Sequence, residues 1–264
     1  MNLIVLLKKL GYQTSWISNQ SGWGKGDRAI VLLSQLCNNN RFTDARIDND
    51  GANSGLHYDE EVLEHFDKVL RENPNTSKFI VLHLMGCHFD YEKRYPAART
   101  IFTSPAPIKT HANAEREQNI LNSYDNAMAY HDSIVNEIVL KFNDYGRDKN
   151  AALVFLSDHG EELYENRIHA GHSFPPTKET ADIPYFTVLS PGFSKNYPHI
   201  EKMMKQRQNT AYSTENNFYT LIHLLNLDSK KYRNKILRKS LFSPYYDSLS
   251  IRFVMGLEYN KISS

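Results

Sequence analysis

Two apolar runs stand out from the mixed pattern of the chain. Lys78-Phe-Ile-Val-Leu-His-Leu84 and Ala151-Ala-Leu-Val-Phe-Leu156 are nearly continuous rather than alternating. That pattern marks strands covered on both faces, as in parallel sheets flanked by helices. Ile183 to Leu189 predicts a third strand, Tyr12 to Ile17 a short β-rich one, and Asp44 to Ile47 a further short strand. Elsewhere the period lengthens to that of a helix. Val62, Leu63, Phe66, Val69 and Leu70 make a helical stripe within Asp59 to Glu72, stopped by Asn73-Pro74-Asn75. Arg116 to Phe142 predicts one long helix, and Asp27 to Cys37 a shorter one. Leu3 to Leu10 reads as a helix end stopped by Gly11. Thr214 to Leu227 predicts a helix capped by Ser213 or Thr214, with Leu221, Ile222, Leu224 and Leu225 on its apolar face. The tail, with Tyr245, Tyr246 and Phe253, predicts a hairpin or a packed segment.

Strands alternating with helices predict an α/β fold, an α/β/α sandwich around a largely parallel sheet. Open α/β sheets bind ligands beyond the carboxyl ends of their strands, so the chemistry is expected just after Leu84 and just after Leu156.

Composition narrows the class. The 264 residues suit a single domain over 1–264 with a core of its own. Apolar residues at 41% and charged ones at 23% exclude a disordered or collagen-like chain. Thirty-one basic against 30 acidic residues give a net charge of +1, without the basic surplus expected of a nucleic-acid binder. No apolar run reaches the roughly 18 residues of a membrane span, and the Met1–Lys8 segment is too short and lacks the basic start of a signal peptide. Two cysteines, Cys37 and Cys87, give neither a disulfide framework nor a CxxC pair.

Metal-competent side chains sit at both predicted strand ends. Ser157-Asp-His-Gly-Glu-Glu162 follows one, Met85-Gly-Cys-His88 follows the other, and Arg167-Ile-His-Ala-Gly-His172 adds two more imidazoles. An Asp-His pair alone is commonly a capped turn, and a lone histidine after a strand is ordinarily structural. Four or five such groups at two strand ends and one loop point instead to a divalent cation held where this architecture places its sites. Carboxylate oxygen with imidazole nitrogen suits zinc, and less well Mg²⁺ or Ca²⁺. Gly160 is expected to let the backbone turn away behind Asp158 and His159. Tyr124-Asp-Asn126 and Tyr130-His-Asp132 read as surface and packing residues of the long helix, Trp16 and Trp23 as packing, and the lysines at 230, 231, 235 and 239 as a solvated face.

Three segments, in this order, resemble a known family. Leu10-Gly-Tyr-Gln-Thr-Ser-Trp-Ile-Ser-Asn-Gln-Ser-Gly22 is similar to the stretch that phosphoethanolamine transferases carry after their nucleophile helix. Phe79-Ile-Val-Leu-His-Leu-Met-Gly-Cys-His-Phe-Asp-Tyr-Glu-Lys-Arg-Tyr-Pro96 resembles their strand, Gly-x-His and Tyr-Pro. Phe155-Leu-Ser-Asp-His-Gly-Glu-Glu-Leu163 resembles the metal-binding strand end of the alkaline phosphatase and sulfatase superfamily.

The resemblance implies a membrane-anchored enzyme of the inner membrane with a periplasmic catalytic domain. Such an enzyme moves phosphoethanolamine from phosphatidylethanolamine to a lipid A, lipopolysaccharide or other envelope glycan acceptor, through a zinc-activated threonine. It further implies that Asp158 and His159 bind zinc, one or two ions or another divalent metal. His88 would contact the transferred phosphoryl group or a second zinc, and a loop histidine would join it, His172 being favoured over His169 for its Gly-His pair. Glu161 would orient His159.

The family's nucleophile and first metal carboxylate precede the Gly11-Tyr12 segment, and Met1–Leu10 corresponds to the helix just before it. The expectation is therefore an N-terminally truncated domain lacking the first strand and nucleophile region, with little or no activity alone. Thr14, Ser15, Ser18 and Ser21 do not match the nucleophile, and Arg99 to Ala114 is the expected acceptor-selecting lid. Two other classes remain open: a sulfatase, phosphodiesterase or metal-dependent mutase of the same superfamily, and a metal-free glycan- or protein-binding domain.

Overall fold

The computed structural model of the chain describes residues 2–22, 28–43, 57–103, 115–227 and 233–262. It divides into two units, Met1–Lys141 and Phe142–Ser264. In the first unit, α1 (Leu3–Lys9) starts where the Asn2 side chain accepts the Ile4 N–H at 2.9 Å. It stops at Gly11, whose φ of +83° no β-carbon hinders. There the N–H groups of Gly11 and Tyr12 close on the carbonyls of Lys8 and Leu7, each at 3.0 Å. The chain continues into β1 (Gln13–Ser18), α2 (Arg28–Ser34), β2 (Asn39–Phe42), α3 (Glu61–Arg71) and β3 (Lys78–His83).

These strands form a parallel sheet in the order β2-β1-β3, with Ser18 opposite both Phe42 and His83. Central β1 is almost wholly buried. Residues of β3 are only half-buried, although their apolar run predicts cover on both faces. Among the described residues β3 pairs with β1 alone, so its other edge lacks the neighbour that would complete its burial. The helical stripe of α3 buries Val62, Phe66 and Leu70, as its spacing predicts. Helix α4 (Glu115–Gly146) buries Leu121, Ala127, Tyr130, Ile134 and Ile138. The predicted strand at 44–47, Trp23 and residues 104–114 of the expected lid lie outside the described residues. Strand β2, in a polar asparagine-rich stretch, carries no apolar pattern that could have announced it.

The second unit contains β4 (Ala152–Leu156), β5 (Glu162–Leu163), β6 (Ala170–Gly171), α5 (Lys178–Ala181) and β7 (Tyr185–Leu189). Then come α6 (Pro191–Asn196), α7 (Pro198–Gln206), α8 (Asn217–Leu224), α9 (Arg233–Lys239), β8 (Phe253–Val254) and β9 (Leu257–Glu258). Strand β7 runs antiparallel to β4, Leu156 opposite Tyr185, an exception within a largely parallel expectation. Ser190 joins the two ends. Its hydroxyl donates to the Lys149 carbonyl at 2.6 Å, while its oxygen accepts the N–H of Ala151 at 3.0 Å and that of Phe193 at 3.2 Å, starting α6. Phe193, Ile200, Leu224, Leu241, Phe242 and Tyr246 build the core, against which Val154 and Tyr185 pack.

The predicted helix at 214–227 opens with a 3-10 turn at Thr214–Asn216, and neither Ser213 nor Asn216 makes a side-chain cap bond. Its buried positions are Thr220, Ile222 and Leu224, with Leu221 and Leu225 half-buried. The tail proves to be both packed, through Leu241 and Phe242, and closed by a hairpin of β8 with β9. Cys37 is buried and Cys87 half-buried, and the two are not paired with each other. Among the described residues no helix is long and apolar enough to cross a membrane.

Phe242, 2% exposed, anchors the second unit's core. Phe242→Ala is expected to cost about 3–5 kcal/mol, read as a fall in the urea midpoint. Burial, and then the nearby His199, hold the His223 imidazole below its ordinary value of 6.5; its Nδ1 lies 2.8 Å from the Ser240 hydroxyl. The unfolded chain therefore takes up this proton first, and the contribution of neutral His223 is full above pH 6.5 and fades as pH falls below it. His223→Gln is expected to flatten that acid limb of a urea-midpoint-versus-pH curve.

Candidate metal centre

Strand β4 delivers the chain to a tight turn. The Ser157 hydroxyl donates to the His159 carbonyl at 2.6 Å, and the His159 N–H donates to Asp158 Oδ1 at 3.1 Å. The Asp158 side chain is 84% exposed, its Oδ1 3.9 Å from His159 Nε2, so carboxylate and imidazole stand side by side at the strand end. Gly160 comes next, and its role differs from the expected one. Its N–H donates to the Thr180 carbonyl at 2.9 Å, and a β-carbon there would lie 2.1 Å from the Glu179 carbonyl oxygen. Glycine is required for this close approach to α5, not for freedom to turn.

The two-residue pairing of β5 with β6, Glu162 opposite Gly171, folds the loop back on itself. That register sets His172 beside Glu161. His172 Nδ1 lies 3.1 Å from Glu161 Oε1, the Glu161 side chain is 5% exposed, and the His159 and His172 rings are 3.8 Å apart at their centroids. Glu161 is 3.8 Å from His159 Nδ1, so its closer partner is His172 rather than the His159 that the sequence suggests. His169 points elsewhere, with Nε2 3.1 Å from the Ser173 hydroxyl. The buried Glu162 secures the loop by accepting the Asn166 N–H at 2.6 Å. Burial pushes its carboxyl up, yet the donors Asn166 and Thr177 outweigh that and hold it below the ordinary carboxylate value.

Hydrogen bonding assigns the tautomers. A carbonyl oxygen only accepts, so a ring nitrogen bonded to one carries the proton. His159 Nδ1 lies 3.0 Å from the Gly160 carbonyl. In the first unit, in the turn beyond β3, His88 Nδ1 lies 2.5 Å from the Phe89 carbonyl. His172 Nδ1 donates likewise to the Glu161 carboxylate. In all three neutral rings the lone pair is then on Nε2, the form a metal-binding imidazole takes when its other nitrogen is held by an oxygen. Within the second unit, Asp158 with the His159 and His172 rings offers the carboxylate oxygen and imidazole nitrogen that zinc accepts, so the residues present fit that ion.

Two further polar residues escape a reading of the sequence. Asn126, which reads as a surface or packing residue of the long helix, is buried. It accepts the N–H groups of Ile101 and Phe102 at 2.7 and 2.8 Å and donates to the Phe102 carbonyl at 2.9 Å. Arg167 donates to the Ser173 hydroxyl at 3.0 Å and to the Pro175 carbonyl, bracing the loop that carries His172. The Asn126 contacts depend on a segment some 25 residues away returning to the helix, which no local pattern encodes.

Residues 1–227 match the sulfatase family. Over 201 residues the chain is 30% identical to phosphoethanolamine transferase EptC of Escherichia coli K12, covering 75% of this chain and 33% of that protein. The chain thus spans about a third of the length of the curated relatives it matches. In three dimensions it resembles the C-terminal periplasmic domain of EptC from Escherichia coli, solved in complex with Zn. The TM-score is 0.82 over 98% of this chain and 72% of that one, at 24% identity. It also resembles the integral membrane lipooligosaccharide phosphoethanolamine transferase A from Neisseria meningitidis, with a TM-score of 0.65 over 88% of this chain and 42% of that one, at 22% identity. These likenesses and the family match bear out the sulfatase-like α/β fold read from the sequence. With a family match that takes in both the strand-end turn and the histidine loop, the chain belongs to the sulfatase family and has phosphoethanolamine transferases among its relatives.

Proposed function

We propose that this chain is the metal- and phosphoryl-binding part of a phosphoethanolamine transferase, a single catalytic domain over 1–264. The donor is phosphatidylethanolamine and the acceptor is lipid A or another lipopolysaccharide-type glycan. The site of action is the periplasm, in a protein anchored in the inner membrane. The observation that carries the reading is the Glu161–His172–His159 arrangement beside the exposed Asp158. The relatedness to phosphoethanolamine transferases and the zinc complex of one neighbour support it.

In this reading Asp158 and His159 hold a zinc ion, or another divalent metal, and His88 and His172 serve the transferred phosphoryl group or a second ion. Bound zinc neutralises phosphoryl oxygens and lowers the pKa of an oxygen nucleophile. Glu161 holds the His172 ring with its proton on Nδ1 and stabilises the imidazolium that forms when Nε2 takes a proton from an acceptor hydroxyl. His88, anchored through Nδ1 on the Phe89 carbonyl, turns Nε2 to the same task or to the metal. None of these residues is assigned as the nucleophile, and the 264 residues alone are expected to transfer little or no phosphoethanolamine.

Zinc titrated calorimetrically into the chelator-treated chain is expected to bind and to raise Tm, by about 2.7 kcal/mol of stability at a hundred-fold excess over Kd. Asp158→Ala and His159→Ala should remove that rise. A chain purified without chelator that holds no zinc, and whose Tm ignores added zinc, overturns the proposal in favour of a metal-free binding domain. The gene carrying this sequence, expressed in a strain without its own phosphoethanolamine transferases, tests the chemistry. A lipid A mass gain lost in Asp158→Ala supports transfer, whereas sulfate-ester hydrolysis with no change in lipid A supports a sulfatase. Removing the outer hydrogen-bond partner of a metal-binding histidine costs about 10- to 100-fold in affinity. Glu161→Ala is accordingly expected to weaken zinc by that factor in the calorimetric titration, and a zinc affinity left unchanged would rule out that supporting role.

A further inference from the structure

In the first unit, Asp59 stands at the start of α3, where an aspartate ordinarily caps its own helix. It does otherwise. Residue 60 is the N-cap and makes no side-chain cap bond, while the Asp59 side chain, 4% exposed as a residue, reaches to the turn after β3. Oδ1 accepts the Met85 N–H at 2.8 Å and Oδ2 accepts the Gly86 N–H at 2.8 Å. Oδ1 also accepts Asn19 Nδ2 at 3.0 Å, and Asn19 in turn accepts the Thr43 hydroxyl at 2.6 Å. His131 of α4 closes the other side, with Nδ1 3.6 Å from Oδ2. A buried carboxylate is tolerated only when so many donors meet it.

On the far side of the same turn, Arg94 does the complementary thing. Its Nε donates to the His88 carbonyl at 2.7 Å and its Nη2 to the Phe89 carbonyl at 2.9 Å. That Phe89 oxygen is the one that also receives His88 Nδ1. The N–H groups before His88 are thus held by a buried anion and the carbonyls around it by a guanidinium. Both are charge-assisted bonds, about twice as strong as neutral ones.

We propose that Asp59 and Arg94 are positioning residues. They clamp the backbone on either side of His88 and fix the direction of its ring, Arg94 doing so through the very carbonyl that sets the tautomer. The inference rests on the reading of His88 as a ligand of the metal or phosphoryl group, and it is testable apart from it. Asn in place of Asp59 keeps the size but presents an amide N–H₂ to backbone donors. Gln in place of Arg94 removes the fork and leaves a turn that is half in solvent.

The experiment uses the 264-residue chain with Asp59→Asn, Arg94→Gln, His88→Ala and the double variants. It reads amide exchange of residues 85–89, zinc affinity by calorimetry and Tm without zinc. Expected is exchange at Met85 and Gly86 at least about 10-fold faster in Asp59→Asn, and zinc weaker by about 10-fold in either clamp variant. The double variants with His88→Ala should bind no more weakly than His88→Ala itself. A general loss of stability would weaken zinc additively, and the coincidence of the two losses separates it from a clamp. Should Asp59→Asn not fold, Arg94→Gln alone carries the comparison. Exchange and zinc affinity unchanged in a folded clamp variant, or losses that add to that of His88→Ala, overturn the proposal. Zinc unaffected by His88→Ala overturns only the ligand reading, and faster exchange in the clamp variants then still upholds the clamp.

Discussion

The chemistry of the chain turns on one kind of contact, an imidazole Nδ1–H bonded to an oxygen that can only accept. His88 meets the Phe89 carbonyl, His159 the Gly160 carbonyl and His172 the Glu161 carboxylate. Each bond does two things: it holds the ring against rotation, and it puts the lone pair on the opposite nitrogen. Carbonyl and carboxylate differ in their effect on a protonated ring. His88 and His159 are held by neutral carbonyls and His172 by a carboxylate, so the three rings share one tautomer but not one kind of partner.

The scaffold forms these contacts with little long-range help. Two of the three acceptors are carbonyls of the residue immediately after the histidine, so strand-end turns set them locally. The third depends on the register of β5 with β6, where Glu162 opposite Gly171 lays the loop's last residue against Glu161. A slip of one residue there would put His172 on the other face. Arg167 and the buried Glu162 guard that register from either side, through Ser173 and Asn166.

The reach of each interaction decides whether the sequence reveals it. The strands β1 and β3, the stripe of α3 and the Gly11 stop rest on local patterns, and the sequence shows them plainly, though not which strands pair. The strand-end position of Asp158, His159 and His88 is readable for the same reason. Half-burial of β3 is not, because an apolar run records what a strand can bury and not which neighbours it has. Nor is the antiparallel direction of β7, since a five-residue apolar strand looks the same either way. Gly160 is legible as special but not as to why. Glycine marks either a left-handed turn or a close approach, and only the Glu179 carbonyl, standing where a β-carbon on residue 160 would have to go, separates the two.

Asp59 shows where local reading ends. In sequence it is the acid before an amphipathic helix, 26 residues from Met85, and its natural reading is a cap. The structure commits it to the turn after β3 instead, and leaves the first turn of α3 without a side-chain cap. A cap bond contributes about 1 kcal/mol, and a carboxylate that accepts two backbone N–H groups and an amide in a dry setting contributes more than that to the loop it holds. Local helix propensity is therefore overruled by a long-range polar network, and that conflict is itself informative. Residues that forgo their local role mark the places where a fold gives up a local bond for the geometry of a distant side chain, here the direction of His88.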